Sequence, residues 1–329
     1  MVIPVNEAHR RIRLSVLNLG ISSGGGIQSI QAVLQMAQLC ESLGYSRYWI
    51  AEHHESNSAY GAPDVLLGWL ASRTERIRLG LAGVLLRYHD PYLVAQSFAL
   101  LSGLYPGRID LGLARGSIGG ELKEYFSDHD ISAQTLDRKC MQLSRLFQSN
   151  QNWSVLRPVN ARPDLWMMGS QGAMRAAYAN KMKFCLDRFY QEPGDEAIQE
   201  IFSEYSASFR TRSFLHQPEY SVAIAGLCAE TDELAYRWQS QAPATGFPSA
   251  IVKSSVVGSP HRWSDYLHRV SEKWGVTEFV ILISTLDVTA QQQSLRLLAE
   301  ALQLTSDRYN SATDPANVGM ARSCQGSPD

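Results

Sequence analysis

Eight short apolar runs, each followed by a segment with apolar residues at helical spacing, constrain the fold of this chain more than any other feature. The runs are 11–19, 47–51, 77–86, 108–114, 163–169, 181–187, 219–229 and 276–284. Helical patterns cover 27–45, 63–73, 91–104, 132–149, 171–180, 195–210, 230–240 and 290–304, with one more at 259–275. In the first of them Ile30, Val33, Leu34, Ala37 and Cys40 share a face, and Gly44 sits where a helix-ending glycine belongs. Pro63 and Pro91 open two others, where the missing N–H costs nothing. Strands that alternate with helices pair in parallel, and eight such units close into a (β/α)8 TIM barrel. The alternative is an open doubly wound sheet. Its mark, a GxGxxG directly after the first strand, is absent. The glycine-rich stretch 22–28 has the wrong spacing and reads as a mobile loop, and 116–120 as another.

The rest of the composition narrows the function by exclusion. With 329 residues, 45% of them hydrophobic, the chain can bury a large core. A formal charge of -2 without long runs of one sign asks for neither nucleic acid nor an anionic membrane. The five cysteines are odd in number and form no CxxC pair, which suits reduced thiols in a cytoplasmic protein. The N-terminus lacks the apolar core of a signal peptide, and no stretch approaches the ~20 apolar residues of a membrane span. One domain is expected over 1–304, with a disordered polar tail at 305–329.

The second strand ends abruptly in Glu52-His53-His54-Glu55. In a barrel of this kind the chemistry lies at the C-terminal ends of the strands. Adjacent strand-end residues point in opposite directions, so one histidine can face the barrel mouth while the other turns into the wall. Both could instead be held by hydrogen bonds from neighbouring side chains. A zinc site is the weaker reading. It needs three or four convergent ligands, and His89 and Asp110 are the only evident extras. No metal is expected.

The stretch 44–116, with its AEHH and YPGRIDLGLARG elements, resembles the bacterial luciferase-like flavin-dependent monooxygenase family. So do 165–179 and 256–282, and the likeness covers most of 11–304. The resemblance implies a flavin-using (β/α)8 barrel that oxygenates a small organic or carrier-bound metabolite with reduced FMN and O2. The deazaflavin F420 is the alternative cofactor, and a separate reductase is expected to supply the reduced flavin. It implies that His53 assists the chemistry beside the flavin, with Glu52 and His54 in support. Ala82-Gly83 matches a pair of small residues joined by a cis peptide beneath the flavin ring. Arg115 matches the residue on the flavin phosphate, for which a forked, always charged guanidinium is suited. Ser170, Gln171 and Gly172 match the phosphate loop at a helix N-terminus.

There are departures. Ala114 replaces the reactive cysteine of the light-emitting members. Met174 stands at a position aligned with a hydroxyl ligand and cannot donate, which predicts a weakened grip on the phosphate. The chain is also short between helix 230–240 and the stretch from Ser254, which fits a trimmed substrate lid or a degenerate site. A non-catalytic flavin-binding or scaffold relative therefore stands as the second reading. Leu66, Leu67, Trp69 and Leu70 on one helix, and Leu93, Val94, Phe98 and Leu101 on another, exceed one barrel-facing stripe. Family members pair through these helices, so a two-fold homodimer is expected.

Overall fold

A computed structural model describes residues 11–304 except 23–25, 56, 117–123, 126–131, 149–161, 190–192, 211–217 and 254. The glycine-rich core of the 22–28 loop, most of the 116–120 loop, Cys324 and the 305–329 tail lie outside the described residues. The strands are β1 (Arg13–Asn18), β2 (Arg47–Ile50), β3 (Arg78–Val84), β4 (Ile109–Leu113), β5 (Asp164–Gly169), β6 (Lys183–Asp187), β7 (Tyr220–Cys228), β8 (Val256–Gly258) and β9 (Glu278–Ile283). The helices are α1 (Ile27–Ser42), α2 (Pro63–Ser72), α3 (Pro91–Leu104), α4 (Ala133–Gln148), α5 (Gln171–Ala179), α6 (Asp195–Arg210), α7 (Asp232–Gln241), α8 (Ser249–Lys253), α9 (Pro260–Trp274) and α10 (Val288–Ala301).

The expected closed barrel is present. Strands β1 to β7 follow one another in parallel, β7 pairs with β9, and β9 closes the ring onto β1. The fold also contains β8, which the sequence pattern does not reveal. It spans only Val256–Gly258 and pairs with the far end of β7, outside the ring. Helix starts and stops follow the local chemistry. The Asp90 carboxylate accepts from the backbone N–H groups of Tyr92 and Leu93, and so caps α3. Gly44, at φ +82°, lets the Tyr45 N–H reach back to the Cys40 carbonyl and end α1.

Side chains alternate across each strand and divide the interior into two parts. Leu14, Val16, Tyr48, Ile50, Leu79, Leu81, Leu111 and Ile281 point outward and meet the helices. The inward set stacks in layers. At the base, every group is charged or polar. Buried Arg47 reaches Glu278 at 2.6 Å and Asp110 at 2.8 Å. Arg78 bridges Asp110 and Asp164, and Lys183 bridges Asp164 and Glu219. Trp49 and Trp166 form the next layer, edge to face with centroids 5.2 Å apart, and the Trp49 indole N–H donates to Asp110 at 2.9 Å. Small residues, Ala51, Ala82, Ala223 and Ala225, follow above them. Among the described residues, the interior is therefore closed at its N-terminal end and opens at the C-terminal end.

Candidate active site

A cavity of about 400 Å3 occupies that open end. Its lining brings together residues from the C-terminal ends of β2, β3, β4 and β5: Glu52, His53, His54, Ala82, Gly83, Arg115 and Ser170. Gln171 and Gly172 are absent from the lining and sit at its edge, in the first turn of α5. Trp49 and Ala223 belong to the deeper part of the lining, and Leu17, Leu19, Met168 and Phe189 make much of its wall apolar.

Glu52 lies two residues past the end of β2, and its side chain is 2% exposed. One carboxylate oxygen accepts from the Leu85 N–H at 2.9 Å. The other meets Nε2 of His54 at 2.8 Å and Nε2 of His89 at 2.7 Å. Burial pushes the Glu52 carboxyl up, but the bonds from His89, His54 and Leu85 outweigh it, so the group lies below the ordinary carboxylate range and is ionised. His53 lies beside the exposed Glu55, with Nδ1 3.4 Å from its carboxylate. Burial lowers its basicity more than Glu55 restores it, which leaves a neutral imidazole near pH 7. Both histidines line the cavity. They differ in their anchor rather than in mouth-facing and wall-facing directions: His54 is tied to a buried carboxylate, His53 to a solvated one.

The Ala82-Gly83 peptide is cis. Gly83 is buried, and a Cβ there would lie 2.8–3.0 Å from the backbone of Gly112, Leu113 and Ala114. Its small size is thus demanded by β4 as well as by whatever lies in the cavity. Ala82 packs with the inward apolar set and lines the cavity. Arg115 leaves β4 and reaches across to α5, where its guanidinium donates to the Gly172 carbonyl at 3.2 Å. Gly172 leaves the room this needs, since a Cβ would stand 3.1 Å from the guanidinium. The first N–H groups of a helix lack intrahelical acceptors, so the start of α5 and Arg115 together form an anion-seeking corner.

One expectation fails here. Met174 is fully buried in the core under α5 and does not face the phosphate corner. It is a packing residue at this position, not a lost ligand, and the weakened phosphate grip inferred from it loses its basis. The residue the sequence reading missed is His89, noted only as a spare metal ligand. Its nitrogen is spent on Glu52, and among the described residues no group of three or more His, Cys, Asp or Glu is arranged to hold a metal ion. Cys40, Cys140, Cys185 and Cys228 are buried and form no disulfide. Among the described residues no helix is long and apolar enough to cross a membrane.

Comparison with known proteins agrees with this fold. The family model described as luciferase-like monooxygenase matches residues 14–279. An N-acetyl-S-alkylcysteine monooxygenase of Bacillus subtilis is 27% identical, over 88% of this chain and 98% of its own length. The crystal structure of apo-MsnO8 superposes with a TM-score of 0.79 at 28% identity, covering 90% of this chain and 99% of that one. The oxygenating component of a 3,6-diketocamphane monooxygenase from Pseudomonas putida, solved with FMN, superposes with a TM-score of 0.69 at 17% identity, over 88% and 97% of the two chains, and shows the shared fold.

Proposed function

Since the chain belongs to the luciferase-like monooxygenase family and is an enzyme of that type, we propose that it binds reduced FMN at the barrel mouth and oxygenates a small organic substrate with O2. The observation that carries this reading is the convergence of His53, the Ala82-Gly83 pair and Arg115 on one cavity beside the start of a helix. When bound, the flavin would supply the electrons and the site of O2 activation. Arg115 and the first turn of α5 would hold the phosphate, by charge and by backbone N–H groups. Ala82 and the apolar wall would flank the ring and keep water from it. His53, neutral near pH 7, would take up or return a proton. Glu52 would fix the ring of His54 in place. The apolar lining favours an uncharged or carrier-bound substrate, as in the sequence reading.

No pyridine-nucleotide motif accompanies the site, so a separate reductase would supply the reduced flavin. Buried, unpaired thiols suit a reducing compartment such as the cytoplasm. A homodimer is also part of this reading. Leu93, Leu100 and Leu104 lie on one face of α3 and are 60%, 55% and 62% exposed, with Val65 of α2 at 72%. Leu66, Leu67, Leu70, Phe98 and Leu101 already serve the barrel, so the exposed set is surplus to it.

The test is a fluorescence titration of wild type and Arg115→Ala with FMN and, in parallel, F420. It is followed by re-oxidation of reduced FMN in air with and without protein. Tighter binding of FMN than of F420, weakened at least tenfold in Arg115→Ala, with an altered course of re-oxidation, is expected. Preference for F420 would replace the cofactor. Binding that ignores Arg115 would displace the phosphate site.

A further inference from the structure

Glu52 has a partner that the proposed chemistry does not use. His54 and His89 approach the same carboxylate oxygen, at 2.8 and 2.7 Å. His54 lines the cavity and its side chain is 20% exposed. His89 does not line it. It follows the 3-10 turn Leu86–Tyr88 and is 40% exposed outside the cavity. The shared carboxylate is 2% exposed, and its second oxygen is occupied by the Leu85 N–H. A ring in the cavity and a ring outside it are therefore joined through one buried charge.

We propose that His89 is a positioning residue that ties the proton state of the cavity to the pH of the solvent. The inference rests on the reading of the cavity as the site of reaction. Glu52 stays ionised throughout. One carboxylate can stabilise one imidazolium well and two poorly. When His54 takes a proton from the cavity, the hold of Glu52 on a charged His89 is divided, and His89 yields a proton to water. One proton enters on the inside, one leaves on the outside, and the charge of the trio is unchanged.

The surroundings of His89 fit this role. The bond to Glu52 raises its basicity, burial opposes that, and the Glu52 and Asp64 charges add to the rise. Lys139 of α4 opposes it, while its Nζ donates to the carbonyls of Arg87 and His89 at 2.8 Å each. Asp90 is engaged in capping α3, and Arg87 stands on the same turn as His89. The balance leaves His89 a proton-binding group whose charge is set mainly by Glu52.

The experiment is an NMR titration of the histidine ring signals in full-length protein without cofactor. It compares wild type with His54→Gln and His89→Gln, since glutamine keeps a donor toward Glu52 and so spares the fold. Coupling predicts that the second proton binds in wild type about one pH unit below the lower of the two midpoints seen in the single variants. The pH profile of flavin re-oxidation in His89→Gln should move its acid limb upward by a similar amount, which a merely structural loss would not do. A wild-type curve that equals the sum of the two variant curves overturns the proposal, whether or not the protein turns over flavin. Coupled NMR curves in a protein that leaves flavin re-oxidation unchanged would overturn the reading of the cavity instead.

Discussion

His53 and Arg115 carry the sharpest expectations for single side chains. His53 is partly solvent-accessible and lines the cavity at the barrel mouth. His53→Ala should lower turnover by ~100-fold or more with an unchanged melting temperature, the range of general acid–base groups. Rates within about threefold of wild type would remove His53 from the chemistry. Met174 gives the opposite pattern. At 0% exposure, Met174→Ser should leave FMN affinity unchanged and cost about 2–5 kcal/mol of stability by chemical denaturation. A tighter FMN complex would reinstate it as a phosphate-loop position. A sequence cannot separate these two cases when both residues lie within a motif. Met174 is the fourth residue of α5, and which side of a helix faces the core depends on where the helix starts and how it is rolled.

The strands and helices were largely legible because their periodicity is strong. β4 and β9 are buried throughout, and α9 turns Trp263, Leu267, Val270 and Trp274 inward. The 3-residue β8 was not legible, because its partner is the last turn of ladder on β7 and no periodicity fits in so short a span. The Glu52–His89 contact joins residues 37 positions apart, and nothing local in either stretch points to the other. The ionic base did leave a trace. Six of the nine described strands start on a charge, Arg13, Arg47, Arg78, Asp164, Lys183 and Glu278. Read together, these positions mark the end of the barrel whose interior is ionic. The β3–β4 seam offers a test at this scale. Gly83→Ala would force a Cβ to 2.8–3.0 Å from the β4 backbone, and should cost about 1–3 kcal/mol while loosening the cavity floor. Equal stability in urea would mean that the two strands part without strain.

At the scale of the molecule, stability should answer to acid. Burial raises the Asp110 carboxyl, but the Arg47 and Arg78 guanidiniums outweigh it and hold it below the usual range; Glu278 is lowered in the same way by Arg47 and Arg13. Groups lowered in the folded state stabilise it above the unfolded carboxylate pKa of about 4, and that contribution is lost as pH falls through the folded value. The melting temperature should hold from neutral pH to about pH 5 and fall steeply below about pH 4. Asp110→Ala takes one of two carboxylates from buried Arg47 and from part-buried Arg78 and should cost about 3–5 kcal/mol, with a weaker acid dependence left behind. Calorimetry across that range checks both, and a flat profile would show that the base is not what holds the barrel shut. For assembly, light scattering at micromolar concentration should give twice the protomer mass, and Leu100→Glu should halve it. A monomeric wild type would leave the exposed face of α3 without its second copy.

Among the described residues, the ionic base and the two tryptophans above it make the barrel interior a blind vessel with its doorway at the other end. On the proposed reading, whatever the reaction consumes and whatever it makes would cross the same rim, past His53, His54 and Arg115. Traffic is then one-way at any instant. A product that lingers at the doorway bars the next substrate, so release can govern the pace of turnover as much as the chemistry does. Residues around the rim would then act as gatekeepers for departure no less than for entry.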